Sequence, residues 1–234
     1  MKYKRLCFII LFVWLLPSKA LCQTIENQRE IWLGYMSSVK ITDRFSLWND
    51  FHYVSTSFFA SRHGLTYFFQ PQHSISAGYA WVVTSTGFSD KLIRPENRLW
   101  AQMAGRLSIR NKTLYQYRLR YDARFRKMIS NSEILDDRIF YHRIRLMNGL
   151  RFYIKDLPNQ RRLHFDVLDE LLLNFGKQVN NEIDQNRLYL LLGLSKKNIT
   201  VLSGYDWRII PMQNGNFIFR HGLTVWIIHN MSFR

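Results

Sequence analysis

Apolar and polar residues alternate with a period of two along most of this chain, and the alternation is clearest in residues 115–126. Every even position there holds a polar or charged residue, and every odd position holds an aromatic or aliphatic one. Because successive side chains of a β-strand point to opposite faces, this pattern predicts a strand with one charged and one apolar face.

Residues 96–109 show the same alternation, and the polar residues 110–112 join the two segments. We therefore predict a β-hairpin. If the hairpin turns symmetrically about Asn111, Glu96 pairs with Arg126 and Trp100 pairs with Asp122. The carboxylate of Asp122 then lies diagonally across from Arg98, within reach of its side chain.

Nine further segments have the same period, which makes eleven predicted strands. One of them contains the consecutive residues Leu190, Leu191 and Leu192, which also suit a helix, but polar residues oppose its even leucines and favour a strand. The nine segments are residues 30–38, 45–53, 64–69, 74–84, 140–154, 163–175, 188–194, 199–209 and 217–233.

The connections between these segments alternate in length, and the prolines after residue 22 fall in connections, where they cost no ladder hydrogen bond. The prolines are Pro71, Pro95, Pro158 and Pro211. Short turns are predicted near Asp43, Pro71, Asn111, Pro158 and Lys197, and longer polar loops around Ser57, Ser89, Ser132, Asn181 and Asn214.

Short turns at one end and longer loops at the other are typical of outer-membrane barrels, which close on an even number of strands. We therefore expect ten or twelve strands, with the first or third segment miscounted.

The length of the strands indicates their environment. The hairpin strands have about a dozen residues, against roughly five or six in soluble sheets and about 9–11 in membrane-crossing strands. The expected fold is all-β, a single antiparallel transmembrane β-barrel of 10–12 strands. A secreted β-sandwich is the alternative, but a second sheet would have to cover all the apolar faces. Outward aromatic residues near strand ends suggest interfacial girdles, namely Tyr79, Trp81, Tyr115, Tyr117, Tyr205 and Trp207.

Residues 1–22 resemble a cleavable signal peptide. A basic start precedes the apolar run 6–16, which is too short to span a membrane as a helix, and small residues precede Gln23. A lipoprotein signal at Cys22 is the weaker alternative, because Lys19 and Leu21 fit it poorly. Cleavage before Gln23 removes both cysteines, which leaves no disulfide or thiolate chemistry, and the barrel domain is then residues 23–234.

The exported chain is basic, since 29 of its residues are lysine or arginine and 17 are acidic. A basic, aromatic-rich composition can indicate nucleic-acid binding, but export argues against that partner. The expected location is the outer membrane of a Gram-negative bacterium. The expected partners are outer-membrane lipid, the barrel-assembly machinery during biogenesis, and small anions.

Four strand motifs together resemble the predicted outer-membrane barrels known as domain of unknown function 2490. The motifs are Arg98-Leu99-Trp100-Ala101-Gln102, Tyr117-Arg118-Leu119-Arg120-Tyr121, Phe140-Tyr141-His142-Arg143-Ile144-Arg145 and Asp184-Gln185-Asn186-Arg187-Leu188-Tyr189. The resemblance covers nearly all of residues 23–234 and implies a fold and a location, without an activity or catalytic residues. The last strand also resembles a barrel-assembly signal, although His229 interrupts its apolar face and Arg234 follows its final aromatic residue.

The charged faces of the strands predict a basic lumen that holds arginines interspersed with carboxylates. The candidate lumen-lining or anion-binding residues are Arg98, Arg106, Arg118, Arg120, Asp122, Arg124, Arg143, Arg145 and Arg187, with Arg151, Arg208 and Arg220 on the same faces. Opposing carboxylates are Glu30, Asp50, Glu96, Asp166, Glu170 and Asp206. Two hypotheses follow: a structural electrostatic core that fills a narrow barrel, or an arginine constriction that passes anions weakly.

The alternative function is a lipid-modifying enzyme, a lipase or acyltransferase with a site on the barrel wall. The outward polar residues that could serve it are His142, Asn148, Asp169, His221 and His229. A lipid-facing carboxylate is costly, so we expect Asp169 either to be turned inward by a β-bulge or to orient His142. No serine fits beside His142, and Ser203 lies two strands beyond Asp169, so we predict a non-catalytic protein. No histidine pair has ligand spacing with an acid, and no metal or cofactor site is predicted.

Overall fold

The protein is a closed barrel of eleven β-strands in the computed structural model. The structure describes residues 24–55, 57–85, 93–110, 112–130, 133–177, 179 and 181–232 in full, together with the backbone of residues 86 and 89–92. The predicted signal peptide, both cysteines, Phe233 and Arg234 lie outside the described residues. No helix in the described part of the chain is long and apolar enough to cross a membrane.

All eleven segments predicted from the alternation are strands, most of them longer at one or both ends than predicted. They are β1 (Ile25–Lys40), β2 (Phe45–Val54), β3 (Phe58–Gln70), β4 (His73–Thr86), β5 (Ser89–Arg110), β6 (Thr113–Ser130), β7 (Glu133–Leu157), β8 (Arg161–Phe175), β9 (Ile183–Lys196), β10 (Ile199–Pro211) and β11 (Phe217–Ser232). The leucine-rich segment is strand β9, in which Leu191 is buried and Leu192 is exposed, as the alternation requires.

The barrel closes on an odd number of strands, so the expectation of ten or twelve is wrong, although the range of 10–12 is confirmed. Neighbouring strands are antiparallel except at the closure, where β1 pairs with β11 in parallel from Ile25↔Phe217 to Lys40↔Ser232. A parallel ladder satisfies backbone hydrogen bonds as an antiparallel one does, and it therefore closes the barrel without a twelfth strand.

The predicted hairpin has the predicted register. Strand β5 pairs with β6 so that Glu96 opposes Arg126 and Trp100 opposes Asp122. Asp122, however, accepts a hydrogen bond from Arg120 Nε (2.8 Å), whereas Arg98 donates to Glu96 (2.6 Å). The diagonal contact between Asp122 and Arg98 is therefore replaced by ion pairs along each strand.

The two ends of the barrel differ. The turn end consists of the connections 41–44, 71–72, 111–112, 158–160 and 197–198, and the loop end of 55–57, 87–88, 131–132, 176–182 and 212–216. Longer polar loops were predicted around Ser89 and Ser132. Strand β5 begins at Ser89, whereas Ser132 lies outside the described residues, between the end of β6 at Ser130 and the start of β7 at Glu133. Strand β7 has 25 residues, and its ladder with β6 extends to Ser130↔Glu133, so the backbone is satisfied by strand pairing.

Two prolines lie in strands rather than in connections. Pro211 ends β10, and Pro95 lies within β5, where it pairs with Val83 of β4. The pairing of β5 with β6 begins only at Glu96, so Pro95 occupies a stretch that is paired on one side. Proline is tolerated at such an edge because no ladder hydrogen bond is lost.

The alternation separates an apolar exterior from a charged interior. Outward residues of β5 such as Leu99 are exposed, at 56% for this side chain, whereas the inward Asp122 of β6 is fully buried. Two apolar clusters share the interior with the charges, one around Trp32, Tyr189 and Leu191 and the other around Trp100. Side chains thus fill much of the inside of the barrel.

Candidate functional site

An arginine-lined cavity of about 420 Å³ occupies the interior toward the loop end. Its wall includes Ser57, Ser85, Ile129 and Ile210, which all lie at or near loop-end connections. Ten described arginines line it, and we call it the arginine cavity: Arg62, Arg94, Arg98, Arg124, Arg126, Arg143, Arg145, Arg187, Arg208 and Arg220. The one described carboxylate in the lining is Asp184.

The alternation of the strands brings these arginines together. Each lies on the inward face of its strand, and strands β3, β5, β6, β7, β9, β10 and β11 all contribute. Closure of the barrel then directs residues that are far apart in sequence, such as Arg62 and Arg208, into one space. Guanidinium groups remain charged at physiological pH, so the cavity concentrates positive charge.

Carboxylates beneath the cavity wall are shared among several arginines. Glu96 bonds Arg98 (2.6 Å), Arg126 (2.9 Å) and Arg124, and it is almost completely buried. In the same way, one carboxylate, Glu170, serves three arginines, of which Arg145 and Arg187 line the cavity.

The remaining ion pairs are less crowded. Asp50 binds Arg62 (2.6 Å), Asp184 binds Arg143 (2.8 Å), and Glu30 binds Arg208 and Arg220. Arg94 donates to the backbone carbonyl of Lys127. Arg208 also lies 3.9 Å from Asp206, so six described carboxylates serve the ten arginines of the cavity wall.

Four of the cavity arginines have a buried nitrogen without a hydrogen-bond partner among the described residues. These atoms are Arg62 Nε, Arg124 Nη1, Arg208 Nε and Arg220 Nε. A buried donor without a partner is costly, and each such atom in a native structure calls for an acceptor. These nitrogens have almost no accessible surface, so an acceptor in the cavity would reach them only after the side chains moved.

An aromatic cluster forms part of the cavity wall, through Trp32, His52 and Phe58. The ring of Trp32 lies 5.5–5.8 Å, centroid to centroid, from those of His52, Phe58, Tyr189 and Trp226. Its indole nitrogen donates to His52 Nδ1 (2.8 Å). The guanidinium groups of Arg187 and Arg208 lie over the same indole at 5.1 and 5.4 Å, in cation–π geometry.

The structure places five of the nine predicted site residues in the cavity wall: Arg98, Arg124, Arg143, Arg145 and Arg187. Arg120 and Asp122 are buried deeper, as an ion pair in which the guanidinium of Arg120 also lies 4.7 Å from the Trp100 ring. Arg118 is partly buried against Glu170 (2.7 Å), and Arg106 is exposed. The nine residues share the inward face but do not form one site.

Three members of the site were missed because strand lengths were underestimated. The third predicted strand began at Gly64 and so left out Arg62, and Arg94 and Asp184 preceded the strands predicted near them. Arg126 was recognised as part of the hairpin but not as a candidate site residue. Extending the alternation outward by two residues would have placed Arg62 and Arg94 on the inward faces. Asp184 instead has the parity of the outward face, because Arg187 and Tyr189 face inward, and it lies at a register shift between β8 and β9.

A second cavity of about 480 Å³ adjoins the arginine cavity at the loop end. Asp184 and Ile210 line both cavities. We call the second one the amide pocket, because its wall is Asn174, Asn181, Asp184, Ile210, Pro211, Met212, Gln213 and Asn214. Asn174 donates to Asp184 (2.9 Å) and accepts from Arg143 (3.0 Å), which ties the walls of the two cavities together.

On the outer surface, Asn148 and Asp169 lie side by side, whereas the histidines considered for a lipid-modifying site lie apart from them. Asp169 stays on the outward face, because both ladders of β8 run without a bulge from His164 to Leu172. It pairs with Asn148 and accepts a hydrogen bond from Asn186 (3.0 Å). His142 of β7 pairs with Phe175 of β8, which is six residues from Asp169 on that strand. Asp169 is therefore neither turned inward by a bulge nor placed to orient His142, and both expectations are wrong.

The outward histidines instead bond tyrosine and asparagine side chains. His142 contacts the hydroxyl of Tyr121 (2.6 Å). Likewise, His221 contacts Tyr205, and His229 contacts Tyr35 (3.3 Å). Hydrogen bonds of this kind lower the cost of exposing polar groups to an apolar medium.

Comparison with known proteins gives a family but no activity. No curated protein and no solved structure matches the chain. One family model, described as "Protein of unknown function (DUF2490)", matches residues 29–227, which reach from β1 into β11. The chain therefore belongs to the DUF2490 family of proteins of unknown function.

Proposed function

We propose that this protein is an outer-membrane β-barrel that binds an anionic ligand in the arginine cavity. The outward faces support the membrane assignment, since Leu99, Ile109 and Leu223 are all more than half exposed. In water-soluble barrels, few large apolar side chains are that exposed. Export by the predicted signal peptide would deliver the chain to that membrane.

The observation that carries the proposed ligand class is the ratio of ten lining arginines to six carboxylates that serve them. If the arginines only filled the lumen, the arrangement would be most stable with one carboxylate for each guanidinium group. The surplus positive charge instead favours a bound anion. Arginine suits phosphate or carboxylate ligands because its planar fork donates two parallel hydrogen bonds.

Binding accounts for the interior better than conduction does. An anion path through the interior would have to pass inward side chains such as Trp32, Arg120 and Leu191, which are each no more than 3% exposed. The lipid-modifying alternative has less support, because its candidate histidines lie apart from Asn148 and Asp169 on the outer wall. We therefore assign the protein a binding role and no catalytic step.

The proposal is tested by measuring phosphate binding to the folded barrel in detergent by isothermal titration calorimetry. Arg126→Gln combined with Arg220→Gln removes two partly exposed cavity charges. We expect at least a tenfold loss of affinity for inorganic phosphate, or about 1.4 kcal/mol. The matched control is Arg106→Gln combined with Arg162→Gln, which removes two exposed arginines outside the cavity.

A barrel that binds no phosphate, or loses equal affinity in the cavity and control variants, would contradict the proposal. Heat-dependent mobility on a denaturing gel checks that each variant is folded.

A further inference from the structure

The two adjoining cavities point to a more specific ligand. We infer that the protein binds a phosphorylated or otherwise anionic saccharide, with the charged group in the arginine cavity and sugar hydroxyls in the amide pocket. The inference rests on the proposed anion-binding function and adds the part of the ligand that carries no charge.

The wall of the amide pocket suits a polyhydroxylated group. Each sugar hydroxyl both donates and accepts a hydrogen bond, and a side-chain amide offers a donor and an acceptor side by side. Four of the eight residues in the wall are asparagine or glutamine, and the only described charged residue there is Asp184. Such a wall favours neutral hydroxyl groups over a second anion.

The amides of the pocket retain bonding capacity. Asn181 donates its amide nitrogen to the Pro211 carbonyl (2.8 Å), and Asn214 accepts the backbone N–H of Asn216 with its amide oxygen (3.1 Å). Each of these bonds uses one end of the amide and leaves the other end for a ligand. Met212 and Pro211 add apolar surface, against which the C–H groups of a sugar ring can pack.

Asp184 lies where the arginine cavity and the amide pocket meet. Its carboxylate binds Arg143 of the arginine cavity (2.8 Å) and accepts from Asn174 of the amide pocket (2.9 Å). A ligand that spans both cavities must therefore carry its anionic group next to its hydroxyl groups, as a sugar phosphate or a uronate does. A long spacer between the two groups would not fit.

The test compares three probes on the folded full-length barrel in detergent: inorganic phosphate, glucose and glucose 1-phosphate. We expect glucose 1-phosphate to bind at least tenfold more tightly than inorganic phosphate. The variant Asn181→Leu combined with Gln213→Leu should abolish that gain and leave phosphate affinity within twofold of the wild-type value. Gln72→Leu, at the turn end, is the matched control and should retain the gain.

The single variant Gln213→Leu guards against misfolding of the double variant, and it should lose part of the gain. Phosphate binding without any gain for glucose 1-phosphate would overturn the inference and leave the proposed function standing. Absence of phosphate binding would instead overturn the proposed function.

A fourth probe, a phosphorylated glycolipid embedded in micelles, distinguishes a lipid headgroup from a free sugar phosphate as the source of the ligand. Tighter binding of the glycolipid than of glucose 1-phosphate assigns the site to a lipid headgroup, and weaker binding assigns it to a free sugar phosphate.

Discussion

At the scale of single residues, the shared carboxylates determine how the interior is held together. Glu96 is nearly inaccessible to solvent and compensates Arg98, Arg124 and Arg126 at once. Loss of its charge would leave three guanidinium groups close to one another in a site that water hardly reaches. Breaking a buried ion pair on one side is therefore more harmful than the number of lost bonds suggests.

We predict that Glu96→Gln lowers the free energy of unfolding by about 3–5 kcal/mol, the usual cost of an uncompensated buried charge. Urea titration followed by tryptophan fluorescence measures the change. Glu26→Gln removes an exposed carboxylate that bonds Gln28, and it should shift the unfolding free energy by less than about 1 kcal/mol. Equal midpoints for the wild-type protein and Glu96→Gln would disprove this role of Glu96.

The sequence was most informative at this scale. Alternation correctly assigned Arg120, Asp122 and Arg143 to the interior and Leu99 to the exterior, because a strand's period depends only on backbone geometry. It could not tell that Arg120 is sequestered against Trp100 while Arg126 reaches a cavity. That distinction depends on the height of each residue in the closed barrel, and the height depends on the stagger between strands.

At the scale of the elements, close approach of backbones limits which residues the ladders accept. Gly64 and Gly78 face each other in the β3–β4 ladder. A Cβ atom on Gly78 would collide with the backbone carbonyl of His63, which cannot move aside as a flexible side chain could. Glycine at this position thus allows the two strands to pair at their observed distance.

We predict that Gly78→Val weakens the β3–β4 pairing and lowers the unfolding free energy by about 1–3 kcal/mol, as overpacking usually does. A lower urea midpoint and loss of heat-dependent gel mobility at a lower temperature would show the effect. Ala77→Val, on the exposed face of the same strand, is the control and should change neither value. A Gly78→Val barrel as stable as the control would refute the steric explanation.

The predictions from the sequence that were wrong concern the ends of the strands and the number of strands. Strand ends were misplaced because Arg94, Pro95 and Ser130 are residues that usually mark loops, yet neighbouring strands pair with them here. The even strand number was a general rule about barrels and not an observation on this chain. The eleven segments visible in the alternation were the better guide.

At the scale of the whole molecule, the buried middle of the barrel argues against an open pore. Thr224, Leu172 and Val82, on three different strands, are all completely buried at their inward positions. A water-filled channel at that level would expose them. We therefore propose that the interior is a cavity and not a passage.

We predict that the purified, folded protein gives no stepwise conductance in planar lipid bilayers at neutral pH. The double variant Arg118→Gln and Arg120→Gln should be equally silent, because these arginines line no continuous path. Anion-selective current steps that diminish in this variant would contradict the binding role and favour the conducting barrel.

The parallel closure of β1 against β11 has a topological consequence for the cell. Any segment that precedes β1 joins the barrel at the loop end, and any segment that follows β11 leaves it at the turn end. If the barrel spans a membrane, the two flanks of the chain face different compartments. A reporter fused before β1 and one fused after β11 would then be displayed on opposite sides, whereas a barrel with an even strand number would display both on the same side.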